Sequence, residues 1–171
     1  EFRRVLFRSY NGKYHLFYQY HPYDSHWGPM HWGHAVSEDL LHWEYLPAAM
    51  APDMPYDRDG CFSGSAITLP DGQQLLMYTG VVNEDAGGQM QGVQTQCVAV
   101  GDGRDYHKYK KNPVLKVSDL PKGSSRYDFR DPKLWQGEDG RYHLRLCALT
   151  PGRMPEAVLS EGAVAAEGLC G

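Results

Sequence analysis

A turn that opens a strand occurs three times in this chain, and that recurrence limits the folds open to it. Asn11-Gly12-Lys13-Tyr14-His15-Leu16, Asp71-Gly72-Gln73-Gln74-Leu75-Leu76 and Asp139-Gly140-Arg141-Tyr142-His143-Leu144 each set Asn-Gly or Asp-Gly before strand-forming residues. Such dipeptides favour tight hairpins because both residues tolerate positive φ. Their glycines lie 60 and 68 residues apart. After the first two units a polar turn closes on an aromatic, at residues 37–43 and 101–109. Tyr14, Leu16, Tyr18 and Tyr20 alternate with His15, Phe17 and Gln19, the period of two expected of a strand. Residues 61–69, 74–79 and 94–100 are further strand candidates bounded by Gly, Asp and Pro. The pattern predicts an all-β chain of repeated sheets, a propeller ahead of a sandwich. In a propeller each blade buries its faces only against its neighbours.

A chain of 171 residues can hold one domain with a sizeable core. Its net charge of -4 argues against a nucleic-acid or anionic-membrane partner, and no apolar run approaches the length of a bilayer span. Cys61, Cys97, Cys147 and Cys170 show no C-x-x-C spacing. They fit a reducing, cytoplasmic compartment better than a disulfide framework. His31 and His34 share a helical ligand spacing that fails on a strand, and no Cys or carboxylate completes a set, so no metal is expected. Gly87-Gly88 and Gly101-x-Gly103 lack the strand-to-helix context of a nucleotide site, and no cofactor is expected. The distinctive quantity is aromatic content, with 12 Tyr, 5 Phe and 4 Trp. Such rings suit β cores, and equally sugar sites, where a ring face packs on sugar C–H groups.

Five short motifs stand in order: Tyr18-Gln19-Tyr20, Trp27-Gly28, His31-Trp32-Gly33-His34, Phe62-Ser63-Gly64-Ser65 and Phe129-Arg130-Asp131-Pro132. On these residues, from about Tyr10 to Leu144, the chain resembles the N-terminal propeller domain of glycoside hydrolase family 32, the β-fructofuranosidases. The resemblance implies a five-bladed propeller with an appended sandwich, of which this chain holds about two blades and the start of a third. It implies retaining hydrolysis of a terminal β-fructofuranoside, sucrose or sucrose 6-phosphate, with a small-molecule or oligosaccharide fructoside as partner. Asp131 would be the transition-state stabiliser, accepting hydrogen bonds from the fructosyl 3- and 4-hydroxyls. Gln19 would bind sugar hydroxyls, Trp27 would pack on the furanose, and Phe62 and Ser63 would line the pocket. Arg130 would keep Asp131 ionised, and Pro132 would press the preceding backbone toward an extended form. His21 departs from the Asn of many members. A phosphorylated substrate would call on cations such as His31, Lys108 or Lys122. Asp57, Asp59, Trp32 and His34 are weaker candidates, and Asp59-Gly60 reads as turn chemistry.

In the resembling family the nucleophile is an Asp in Asn-Asp-Pro-Asn-Gly, just upstream of the Tyr-His-Leu-Phe-Tyr-Gln strand. Residues 1–9 stand in that place and contain no Asp. The acid/base is a Glu in a Glu-Cys pair; Glu138, Glu156, Glu161 and Glu167 are none of them followed by Cys. Neither carboxylate carries over, so this chain is expected to be inactive, with a non-catalytic sugar-binding propeller remnant as the alternative. Related five-bladed arabinan- or xylan-cleaving enzymes share the architecture without the combined motif series. The basic residues 1–9 are set aside as a non-native or adaptor-derived leader, leaving 10–144 as the propeller piece. Residues 145–171 lose their aromatics and read as an atypical tail, frame-shifted or a degenerate terminal helix. An open arc of blades leaves its outer faces in water, which predicts low stability.

Overall fold

The computed structural model describes residues 5–148 and 156–160. They form three antiparallel sheets in chain order. The first holds β1 (Val5–Tyr10), β2 (Lys13–Tyr20), β3 (His31–Ser37) and β4 (Glu44–Met50). The second holds β5 (Gly60–Thr68), β6 (Gln74–Asp85), β7 (Met90–Gly101) and β8 (Tyr106–Lys108). The third holds β9 (Phe129–Gln136), β10 (Tyr142–Ala148) and β11 (Glu156–Ser160). Two four-stranded sheets and one three-stranded sheet are consistent with the two blades and the start of a third that the resemblance implies.

The recurring turn is the first hairpin of every blade. Asn11 and Gly12, with φ of 49° and 74°, join the paired residues Tyr10 and Lys13. Two positive values in a two-residue loop make a type I′ turn, whose twist matches that of the flanking strands. Gly72 and Gly140 take φ of 84° and 78° at the same point of the second and third blades.

Strand periodicity then sorts side chains into two cores. In the middle blade, Leu76 and Tyr78 of β6 and Cys97 and Ala99 of β7 pack with Phe17, Trp32 and Met50 of the first blade. Their neighbours Leu75, Met77 and Val98 point the other way and pack with Phe129, Leu134, Leu144 and Leu146 of the third. Both faces of this blade are covered, so the first eight residues of β6 are all buried. In the outer sheets β3 is buried throughout, while β2 and β10 alternate. His15 and Phe17 are buried while Tyr14 and Tyr20 are exposed; in β10, Leu144, Leu146 and Ala148 are buried between exposed Arg145 and Cys147.

Three sequence boundaries move. Residues 5–9, set aside as leader, form most of β1, which pairs with β2 from Val5↔Tyr18 to Tyr10↔Lys13. A hairpin turn requires a strand on each side, and Val5, Leu6 and Phe7 have the β-forming character to supply it. At the other end the fold continues past Leu144. Leu146 and Ala148 reach 1% and 2% exposure in the core, and β11 pairs with β10 from Leu144↔Ser160 to Ala148↔Glu156. A strand stands there, not a helix; Glu161, Glu167 and Cys170 lie outside the described residues. Finally, β6 and β7 run past residues 74–79 and 94–100 into one long hairpin, pairing as far as Asp85↔Met90.

Candidate functional site

Each blade presents an edge strand to its predecessor: β5 borders the first blade and β9 the second. An edge strand carries unpaired backbone groups that must find partners when buried. Here side chains supply them. On β5, Gln19 Nε2 donates to Cys61 O at 3.1 Å, Trp32 Nε1 to Phe62 O at 3.1 Å, and Arg8 Nε to Ala66 O at 2.6 Å. On β9, the Phe129, Asp131 and Leu134 N–H groups donate to Gln94 Oε1 (2.8 Å), Thr79 Oγ1 (3.2 Å) and Ser65 Oγ (2.8 Å).

Between these edges lies a cavity of ≈ 270 Å³ lined by Leu6, Phe17, Tyr18, Gln19, Trp32, Ser63, Gly64 and Asp131. Three of the predicted residues, Gln19, Ser63 and Asp131, come from three different blades and line this one cavity. Gln19 follows His15 and Phe17 on the inward face of β2, and its Oε1 is buried without a hydrogen-bond partner. Phe62 and Trp27 form an edge-to-face pair outside the lining, ring centroids 5.3 Å apart, with Trp27 56% exposed. Arg130 is also outside the lining, and its guanidinium pairs with Asp128 at 3.1 Å.

Two of the lining residues owe their positions to β-bulges. The register of β5 on β6 passes from Phe62↔Thr79 to Gly64↔Tyr78, so Ser63 is one residue too many and turns toward the cavity. Gly64 beside it admits no side chain, because a Cβ there would sit 1.8 Å from the Met77 carbonyl oxygen. On β9, Arg130 pairs with Cys147 and Lys133 with Arg145, which leaves Asp131 and Pro132 together opposite Leu146. Asp131 has φ 58°. This corrects the extended backbone expected ahead of Pro132: the bulge overrides the pre-proline preference. A non-glycine residue held in the left-handed region stores of order 1–3 kcal/mol, and such strain collects at functional sites. Pro132 is tolerated because a bulge needs no ladder N–H there.

The phosphate candidates fare differently. Lys108 directs its ammonium to Ala51 O (2.5 Å), Asp53 Oδ1 (2.6 Å) and Asp57 Oδ2 (2.6 Å), leaving no proton for a substrate anion. Asp57 is fully buried and also accepts the Tyr78 hydroxyl at 2.7 Å. His31 is buried, with Nδ1 3.0 Å from Pro29 O. Sequence reasoning missed Leu6, Phe17, Tyr18 and Gly64 as lining residues, and rated Trp32 as weaker. The motif strings that contain Tyr18, Trp32 and Gly64 were the available signal. His34 lies deeper, fully buried; burial first, then neighbouring His15 3.0 Å away, lowers its pKa to about 3.

Antiparallel sheets in chain order, each presenting an edge strand to the one before around a small cavity, are the arrangement of β-propeller blades. The model of the glycosyl hydrolases family 32 N-terminal domain matches residues 6–159, and the chain belongs to that family. It is 42% identical over 154 residues to sucrose-6-phosphate hydrolase of Escherichia coli, covering 90% of this chain and 31% of that enzyme. It is 46% identical over 144 residues to the vacuolar acid β-fructofuranosidase 1 of Rosa hybrid cultivar, covering 80% of this chain and 23% of that protein. Among solved structures, a Bombyx mori GH32 β-fructofuranosidase superposes with a TM-score of 0.74 at 41% identity, over 90% of this chain and 31% of its own. Fructan 1-exohydrolase IIa of Cichorium intybus, in complex with 1-kestose, gives 0.72 at 35% identity, over 88% and 27%. This chain therefore spans less than a third of the length of these four relatives.

Proposed function

We propose that this chain carries the furanose-holding wall of a retaining β-fructofuranosidase acting on sucrose or sucrose 6-phosphate. In this reading Asp131 accepts the fructosyl 3- and 4-hydroxyls, Gln19 and Ser63 bind further hydroxyls, and Trp27 with Phe62 flanks the ring. Arg130 supplies positive charge next to Asp131 in sequence while its guanidinium pairs with Asp128. One observation carries the proposal: Gln19, Ser63 and Asp131, 112 residues apart in sequence at the extremes, line a single cavity. Its ≈ 270 Å³ is below the ~300–1,000 Å³ of drug-sized ligand sites and suits one monosaccharide ring. The unpartnered Gln19 Oε1 is an acceptor that a sugar hydroxyl would satisfy.

The same lining favours a non-catalytic state for the chain itself. Retaining hydrolysis needs two carboxyl groups about 5–5.5 Å apart across the scissile bond. Among the described residues lining the cavity, Asp131 is the one carboxylate. The purified chain is therefore expected to bind fructose weakly and to release no glucose from sucrose above a buffer control. Titration followed by tryptophan fluorescence, repeated with Asp131→Asn, tests the binding. An unchanged affinity in that variant would remove Asp131 from the site, and glucose release abolished by Asp131→Ala would overturn the inactivity. We place the protein in the cytoplasm, a compartment that suits the free thiols of Cys61, Cys97 and Cys147.

A further inference from the structure

The Asp131 backbone is strained, and it sits where the register of β9 on β10 shifts. At the bulge the β9–β10 ladder is interrupted, with Asp131 and Pro132 sharing a single opposite residue. What meets the Asp131 N–H is Thr79 Oγ1, from the middle blade, at 3.2 Å. Thr79 is fully buried, as is Gln96, whose Oε1 lies 3.2 Å from the same hydroxyl. Gln96 Nε2 in turn donates to Phe129 O at 2.6 Å. The polarity of this circuit is forced. Gln96 must turn its amide nitrogen to the Phe129 carbonyl, so Oε1 faces Thr79 and takes the one hydroxyl proton. The Thr79 oxygen then has only lone pairs to offer, and it receives the Asp131 N–H. Gln94 Oε1 closes the set by accepting the Phe129 N–H at 2.8 Å. Both peptide groups flanking Arg130 are thus clamped from across the blade interface, 33 and 52 residues away in sequence.

We propose that Thr79 and Gln96 are positioning residues for Asp131: their buried hydrogen-bond circuit holds the bulge in the form that turns the Asp131 side chain into the cavity. The circuit touches no cavity surface of its own, since neither residue lines it. It acts only through the Asp131 backbone. The assignment of a sugar-binding duty to Asp131 is the reading proposed above, on which the functional half of this inference rests; the structural half stands apart from it.

The test compares three variants of the full chain, read by amide hydrogen exchange and by fructose titration. Thr79→Val keeps the shape and removes the acceptor. The Asp131 amide should then exchange about tenfold faster, the equivalent of one lost hydrogen bond, and fructose affinity should fall at least severalfold. Thr79→Ser restores the hydroxyl and should restore both readings. Ser65→Ala removes a different β9 acceptor, that of the Leu134 N–H. It should lower stability while leaving Asp131 exchange unchanged, which separates positioning from general support. Should Thr79→Val lack a native-like spectrum, Thr79→Cys is read in its place, because a thiol is a poor acceptor of similar size. Unchanged Asp131 exchange in the acceptor-deficient variant overturns the proposal whatever the sugar does. If exchange rises and Asp131→Asn weakens fructose binding while Thr79→Val does not, the bulge is held as described but does not tune the site, and the proposal fails. If Asp131→Asn itself has no effect on fructose binding, the proposed function fails, and the exchange data still decide the structural half.

Discussion

The two blade interfaces solve one problem with a different balance of side-chain donors and acceptors. At the first, donors from the preceding blade reach carbonyls of β5: Gln19 to Cys61, Trp32 to Phe62 and Arg8 to Ala66. At the second, three acceptors reach N–H groups of β9, Gln94 to Phe129, Thr79 to Asp131 and Ser65 to Leu134, beside a single donor, Gln96 to the Phe129 carbonyl. Their cores differ likewise. The first is aromatic, built on Phe17, Trp32 and Tyr78, and encloses the Asp57–Lys108 ion pair; the second is largely aliphatic around Phe129. A buried carbonyl with two lone pairs tolerates a lost partner better than an N–H does. The second interface is therefore the stricter one, and it is the one that fixes Asp131. The first can leave an acceptor, Gln19 Oε1, unsatisfied beside the cavity. Rigidity and receptiveness are divided between two walls of one site.

The largest effect expected from breaking this contrast lies in the ion pair. Lys108→Ala strands Asp57, which is fully buried, without its ammonium partner. Removing one member of a buried pair costs about 3–5 kcal/mol, which urea denaturation of the chain will show as a lower midpoint. Replacing both, as Lys108→Met with Asp57→Leu, should recover only part of the loss: no uncompensated charge remains, but the Tyr78 hydroxyl and the Met54 N–H lose their acceptor. Acid comes next, and it acts on the first interface. His34 packs on Phe17 at 4.5 Å and faces Tyr106 of the middle blade. Its folded pKa of about 3 lies below the ordinary 6.5, and His15 is lowered in the same direction by burial. The unfolded chain takes up protons that the folded one refuses, so this stability is complete above about pH 6.5 and is lost as pH falls toward 3. For His34 the slope should approach about 1.4 kcal/mol per pH unit. His34→Gln should flatten it, seen in urea midpoints between pH 7.5 and pH 5; an equal slope in that variant would remove His34 as the cause.

Much of the fold could be read in the sequence because its punctuation is local. Asn11-Gly12, Asp71-Gly72 and Asp139-Gly140 each encode a hairpin without reference to anything distant, and one such hairpin opens each of the three sheets. The start of β6 was equally visible, as a strand candidate at residues 74–79. The site was legible in its members and not in its mechanics. Period-two alternation assigns faces, yet the bulges at Ser63 and Asp131 reverse that assignment by one residue and leave no local mark. Nor does Thr79 announce a bond to a backbone N–H 52 residues later. Lys108 shows the same limit, since its three acceptors lie 51 to 57 residues upstream.

A matched pair of small changes sharpens the contrast between the interfaces. Ser65→Ala leaves the Leu134 N–H buried with no acceptor, and such a loss costs about 1–3 kcal/mol. Gln19→Met removes a donor from the Cys61 carbonyl, yet it also removes Oε1, which is already buried and unpartnered. The two effects oppose each other, and an apolar side chain of similar length fills the space beside Phe17 and Trp32. The expected net change is within about 0.5 kcal/mol of zero, while fructose affinity should be lost with the amide. Stability without binding would mark Gln19 as a residue kept for its ligand. A loss for Gln19→Met as large as that for Ser65→Ala would mean that both interfaces depend equally on their polar bridges, and the division of labour between them would not hold.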